Sequence, residues 1–90
     1  MDVKKMEQIT IYTTQICPKC DKLKTVMKKN DIPFKEADMS SPESLTELRI
    51  NGVFTVTAPV LQVGDTFLTY EELFKGETLN MDAISSILDL

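Results

Sequence analysis

Ninety residues make one domain and not two, because domains commonly hold about 100–200 residues. The chain is 42% apolar and 27% charged with few glycines and prolines, which suits a packed globule and excludes a disordered tail, a collagen-like repeat or a low-complexity linker. Fourteen acidic against ten basic residues leave a net charge of −4, the wrong sign for a domain that grips nucleic-acid phosphates.

Met1–Gln8 holds no apolar run, so no export signal is expected and the predicted location is cytoplasmic, where permanent disulfides are rare. Nor does any stretch approach the roughly 18 apolar residues of a membrane span. Gln8–Thr13 alternates apolar and polar residues and is rich in β-branched ones, the pattern of a strand. The period then changes. Cys20, Leu23, Val26 and Met27 recur at helical spacing, with Lys22, Lys24, Lys28 and Lys29 on the other faces. Pro18 suits the first turn of that helix, and Asn30, Asp31 and Pro33 end it. Phe34–Met39 reads as a short second strand, so the first forty residues form a βαβ unit with parallel strands and a right-handed crossover.

Ser40-x-x-Glu43 matches a capping box and predicts a helix carrying Leu45 and Leu48 inward, ending near Asn51-Gly52. Pro59–Val63 and Thr66–Leu68 flank Gly64-Asp65 and predict a hairpin with a type II′ turn. Thr69-x-x-Glu72 is a further capping box, opening a helix that runs through Phe74 to Gly76. Asn80 caps a last helix with Met81, Ile84, Ile87 and Leu88 on one face. Tyr12, Phe34, Phe54 and Phe67 read as core or loop packing. The predicted fold class is α/β: βαβ plus ββα, a four-stranded mixed sheet flanked by helices, in a single domain spanning 1–90.

The chemistry-bearing motif is Cys17-Pro18-Lys19-Cys20, set between a strand and a helix. Residues three apart on a helix lie about 5–6 Å apart, a separation a disulfide can bridge. Cys17 falls at the helix N-terminus, where unpaired N–H groups and the helix dipole favour its thiolate, and Lys19 and Lys22 add positive potential. Cys20 lies one turn in, on the same stripe as Leu23 and Met27, so it is expected to be more buried and to keep its proton longer. Those two environments assign Cys17 as the nucleophile and Cys20 as the resolving thiol of a dithiol–disulfide exchange. An inert disulfide or half of a zinc site is the alternative reading. A closed zinc site needs about four ligands, and this chain has two thiols and no histidine. Histidine's absence also removes Cys–His nucleophile pairs.

On these residues, together with Thr57-Ala58-Pro59 ahead of the hairpin, the chain resembles the glutaredoxins and related small thioredoxin-like dithiol oxidoreductases over nearly its whole length. The resemblance implies a thioredoxin fold, a cis Pro59 facing the cysteine pair, and a substrate groove lined by Pro18, Lys19, Thr57, Ala58 and Pro59, with the Ala58 backbone pairing with substrate. It implies a thiol–disulfide oxidoreductase acting in cell redox homeostasis and electron transfer. Its substrates are protein or small-molecule disulfides, and its electron donor is a reductase or a low-molecular-weight thiol. The chain departs from glutathione-using members at three points. Leu68-Thr69 stands where they carry a glycine pair, Thr13-Thr14-Gln15 where they carry a lysine, and Pro-Lys where Pro-Tyr is common. Glutathione is therefore not expected as a bound cofactor, and a monomer without metal or other cofactor is predicted. The alternatives are a glutathione-dependent glutaredoxin and a non-catalytic carrier holding an iron–sulfur cluster or metal through Cys17 in a dimer.

Charge is unevenly placed. Residues 17–30 hold five lysines and one aspartate, whereas 60–90 hold one lysine and six acids, an asymmetry able to steer an acidic partner toward the thiol end.

Overall fold

The computed structural model describes residues 8–55 and 57–88. The stretch read for an export signal lies outside them apart from Gln8. Strand β1 (Ile9–Thr13) leads into helix α1 (Pro18–Lys29), and strand β2 (Lys35–Asp38) returns parallel to β1. Helix α2 (Pro42–Ile50) then crosses to β3 (Val60–Val63) and β4 (Thr66–Leu68), which complete a mixed sheet in the order β2-β1-β3-β4. Helix α3 (Tyr70–Leu73) follows, then the two-residue strands β5 (Phe74–Lys75) and β6 (Thr78–Leu79), and last helix α4 (Met81–Leu88). This is the thioredoxin-like arrangement, with helices on both faces of the sheet.

Strand alternation decides which side chains reach which face. Ile11, Leu61 and Val63 point to one side and pack with Leu23 and Met27 of α1, Leu73 of α3 and Ile84 of α4. Their neighbours Tyr12 and Val60 point to the other and pack with Met39, Leu48 of α2 and Val53. Helix α1 is thus held by the stripe that its sequence displays, with Cys20, Leu23 and Met27 all buried.

Local signals are met with small displacements. The cap of α2 is Ser41, whose hydroxyl accepts the Ser44 N–H at 3.1 Å, not Ser40. Ser40 instead gives its N–H and its hydroxyl to the Asp38 carboxylate, at 2.9 and 2.7 Å. With the helix starting one residue later, Ser44 and Leu48 are the buried positions and Leu45 is only half-buried. In the β3–β4 turn Gly64 has φ 60° and Asp65 does not share that region, which is the type II′ pattern. The Glu72 carboxylate accepts the Thr69 N–H at 2.9 Å, so that capping contact forms. The helix it opens nevertheless ends at Leu73 instead of running to Gly76, because Phe74 and Lys75 turn extended and pair with Leu79 and Thr78. Phe54, read as a packing residue, is 78% exposed.

Leu48 is the apolar residue of α2 that is fully sequestered, so Leu48→Ala should lower the unfolding free energy by about 2–5 kcal/mol. Leu45→Ala should cost about 1 kcal/mol. Urea unfolding followed by circular dichroism measures both, and equal losses would show that α2 is not anchored through Leu48.

Candidate active site

Three segments leave the sheet at one edge. β1 and β3 are antiparallel with Tyr12 opposite Val60, so the end of β1 and the start of β3 lie side by side. Residues 14–17 therefore emerge next to Pro59. β4 runs antiparallel to β3 with Leu68 opposite Leu61, which delivers Thr69 and α3 to the same edge. The strand-to-helix passage after β1 brings Cys17 there.

Cys17 is the N-cap of α1, and Pro18 occupies the first helical position, where its missing N–H costs nothing. Cys17 and Cys20 are joined as a disulfide, with Cα atoms 5.2 Å apart. The Cys20 N–H donates to the Cys17 sulfur at 3.1 Å, which places a first-turn amide dipole directly on that atom. Their burial differs as the helical position requires. Cys20 is 1% exposed and covered by the core, whereas Cys17 is partly open at the surface. The arrangement supplies a sulfur that an incoming group can reach and a second sulfur within bonding distance behind it.

Pro59 follows a cis peptide bond and is fully buried at the mouth of β3. Thr57 lines a cleft of about 360 Å³ with Phe54, Thr55, Thr69, Tyr70 and Glu71. Its own N–H is taken by the Thr55 hydroxyl at 3.1 Å. Ala58 is half-buried and packs against the cluster of Tyr12, Met39, Leu48, Val53 and Val60. Ile16, immediately before Cys17, is 88% exposed. Pro18 is exposed beside it.

Lys19 does not reach freely into solvent. Its ammonium meets the Glu77 carboxylate at 3.1 Å and lies 5.8 Å from the centroid of the Tyr70 ring and 6.0 Å from that of Phe74. Tyr70 and Phe74 stack with centroids 5.5 Å apart. The Lys22 ammonium donates to the Glu77 carbonyl oxygen at 3.1 Å. The hydrogen bond and charge of Glu77 raise the Lys19 pKa, and the same contact lowers that of Glu77. Lys24, a turn further on, pairs with Glu36 of β2 at 3.3 Å and with Asp21 at 3.5 Å.

The sequence reading located the cysteines and the threonine–alanine–proline segment, and the structure brings them to one edge. It did not locate Phe54, Tyr70, Phe74 or Glu77. The Thr69–Glu72 capping motif marks where Tyr70 emerges, but nothing in the pattern marks Glu77 as a partner of Lys19. Among the described residues no group of three or more cysteine, aspartate or glutamate side chains is placed to hold a metal ion. Among the same residues no helix is long and apolar enough to cross a membrane.

No curated protein matches the chain. A family model described as glutaredoxin matches residues 9–68, the span from β1 through β4 that contains the cysteine pair, the cis proline and the cleft's first three lining residues. With that match laid over a sulfur pair closed across the first turn of a helix, the chain belongs to the glutaredoxin family, and its chemistry is thiol redox chemistry.

Proposed function

We propose that the protein is a protein disulfide reductase in which Cys17 is the nucleophile and Cys20 the resolving thiol. The observation that carries this is the asymmetry within the pair: one sulfur open at a helix N-terminus, the other buried one turn behind it. A thiol so placed loses its proton more readily than a free one, and the thiolate is the attacking form.

In the reduced protein the Cys17 thiolate attacks one sulfur of a substrate disulfide. A Cys17–substrate bond forms, the substrate S–S bond breaks, and the departing thiolate takes up a proton. Cys20, on losing its proton, attacks the Cys17 sulfur. The Cys17–Cys20 bond forms and the second substrate sulfur leaves as a thiolate that is protonated in turn. Two electrons and two protons pass from the dithiol to the substrate. Two electrons from a flavoprotein reductase, or from two molecules of a small thiol, restore the pair.

Substrate approaches over the cleft beside Pro59. Its lining offers threonine hydroxyls, two aromatic side chains and one carboxylate, Glu71, and includes neither lysine nor arginine. That surface suits an extended polypeptide around a cystine better than a tripeptide bearing two carboxylates, which supports protein disulfides as substrates and a donor other than glutathione. The functional setting we infer is cytoplasmic redox homeostasis.

Reduction of insulin disulfides with dithiothreitol as donor tests the activity. The Cys20→Ser variant should accumulate mixed disulfides through Cys17, read by mass spectrometry, and Cys17→Ser should accumulate none. Equal trapping by both variants would overturn the assignment of roles. Oxidised protein should regain two free thiols faster with thioredoxin reductase, or with a small thiol lacking glutathione's carboxylates, than with reduced glutathione at equal concentration. Recovery at least as fast with glutathione would overturn the donor assignment.

A further inference from the structure

We infer that Glu77 is a positioning residue for the reactive sulfur: it holds the Lys19 ammonium against the Tyr70 and Phe74 rings and so withholds part of that charge from Cys17. The inference rests on Cys17 being the nucleophile, and it adds a control on how reactive that nucleophile is.

Lys19 stands between the two cysteines, on a stem of four methylenes able to carry its charge toward the start of the helix or away from it. In the structure it turns to the β5–β6 hairpin. Its side chain is 26% exposed, its ammonium lies near both rings, and it meets Glu77. The carboxylate is itself held in place by backbone. Glu77 follows Gly76, whose φ of 64° makes the tight turn, and the flanking pairs Phe74–Leu79 and Lys75–Thr78 close the hairpin. Phe74 is buried in the main core, so the hairpin is anchored where it meets α1. Lys22 adds a second tie to the same residue through the Glu77 carbonyl.

Among the described residues the charged groups at this end of the molecule are Lys19, Asp21 and Lys22 on α1, Glu71 in the cleft beside Tyr70, and Lys75 and Glu77 on the hairpin. Asp21 is in contact with Lys24, and Glu71 stands at the opening of α3. Among the described residues Glu77 is the acid placed within contact distance of Lys19. A carboxylate there lowers the stability of the Cys17 thiolate in two ways. Its own charge repels the thiolate, and it draws off the cation best placed to attract it. The Lys19–Glu77 pair loses charge only when pH falls through the lowered value of Glu77 or rises through the raised value of Lys19. It is intact around neutral pH.

The test is a double-mutant cycle on the reduced protein. The pH dependence of Cys17 alkylation by iodoacetamide, read by mass spectrometry, reports the apparent thiol pKa for wild type, Glu77→Gln, Lys19→Met and the double variant. Glu77→Gln should lower the pKa by about half a pH unit, and Lys19→Met should raise it. In the Lys19→Met background, Glu77→Gln should move it by less than half as much. The more stable thiolate should also make Glu77→Gln easier to reduce in a glutathione redox buffer. Equal shifts on both backgrounds would reduce Glu77 to a plain background charge, and no shift on either would remove its role; each result overturns the inference. Insulin reduction by the wild type judges the reductase reading separately, since alkylation reports the sulfur whether or not any disulfide is reduced.

Discussion

The first turn of α1 imposes the constraint on which the site depends. A disulfide needs its two Cα atoms within a narrow range, and the turn from Cys17 to Cys20 sets them 5.2 Å apart. The same turn directs the Cys20 amide at the Cys17 sulfur. Both features require the helix to begin at Pro18 and nowhere else. A start one residue later would remove Cys17 from the cap, and a start one residue earlier would pass the cap to Ile16 and make Cys17 the first helical residue. Pro18 enforces that start from one side, and the burial of Cys20, Leu23 and Met27 enforces the helix's rotation from the other. Core packing and sulfur chemistry are therefore set by one register.

Much of this was legible because it is local. The change from alternation in Gln8–Thr13 to a 3.6-residue stripe after Pro18 marks a strand entering a helix. Gly64-Asp65 between two apolar runs marks a turn whose positive φ the structure contains. The cysteine pair was readable for the same reason, its spacing and setting being local facts. The cis bond before Pro59 is different in kind. A proline at a strand start is compatible with either isomer, and only resemblance to a family pointed to cis.

What escaped the sequence is decided by contacts between distant segments. Phe74-Lys75 continues a helical pattern from Tyr70, yet these residues leave the helix because Thr78-Leu79 can fold back on them around Gly76. Strands of two residues are too short to show a period. Ser40 and Ser41 are equally good caps by type, and the choice fell to Ser41 because Asp38 captures Ser40. Phe54, read as core or loop packing, is instead exposed, because its type does not tell which of two adjacent apolar residues takes the buried place. In fact Val53 takes the buried place, and Phe54 becomes one wall of the cleft.

The charge asymmetry also changes meaning once the chain is folded. Counted along the sequence, α1 is a basic block and the last third an acidic one, two surfaces offered to partners. In three dimensions the blocks meet. Lys19 and Lys22 close on Glu77, and Lys24 closes on Glu36 and Asp21. Lys28 and Lys29 lie in the last turn of α1, where they complement the negative end of the helix dipole and stand far from the thiols. The positive field at the cysteine end is thus smaller than a residue count implies, because two of the five lysines of α1 pair with carboxylates of the same chain and a third is tied to a backbone carbonyl. In the proposed mechanism the helix terminus adds its own support to a thiolate at Cys17, through backbone amides such as that of Cys20 that no change of surface charge removes.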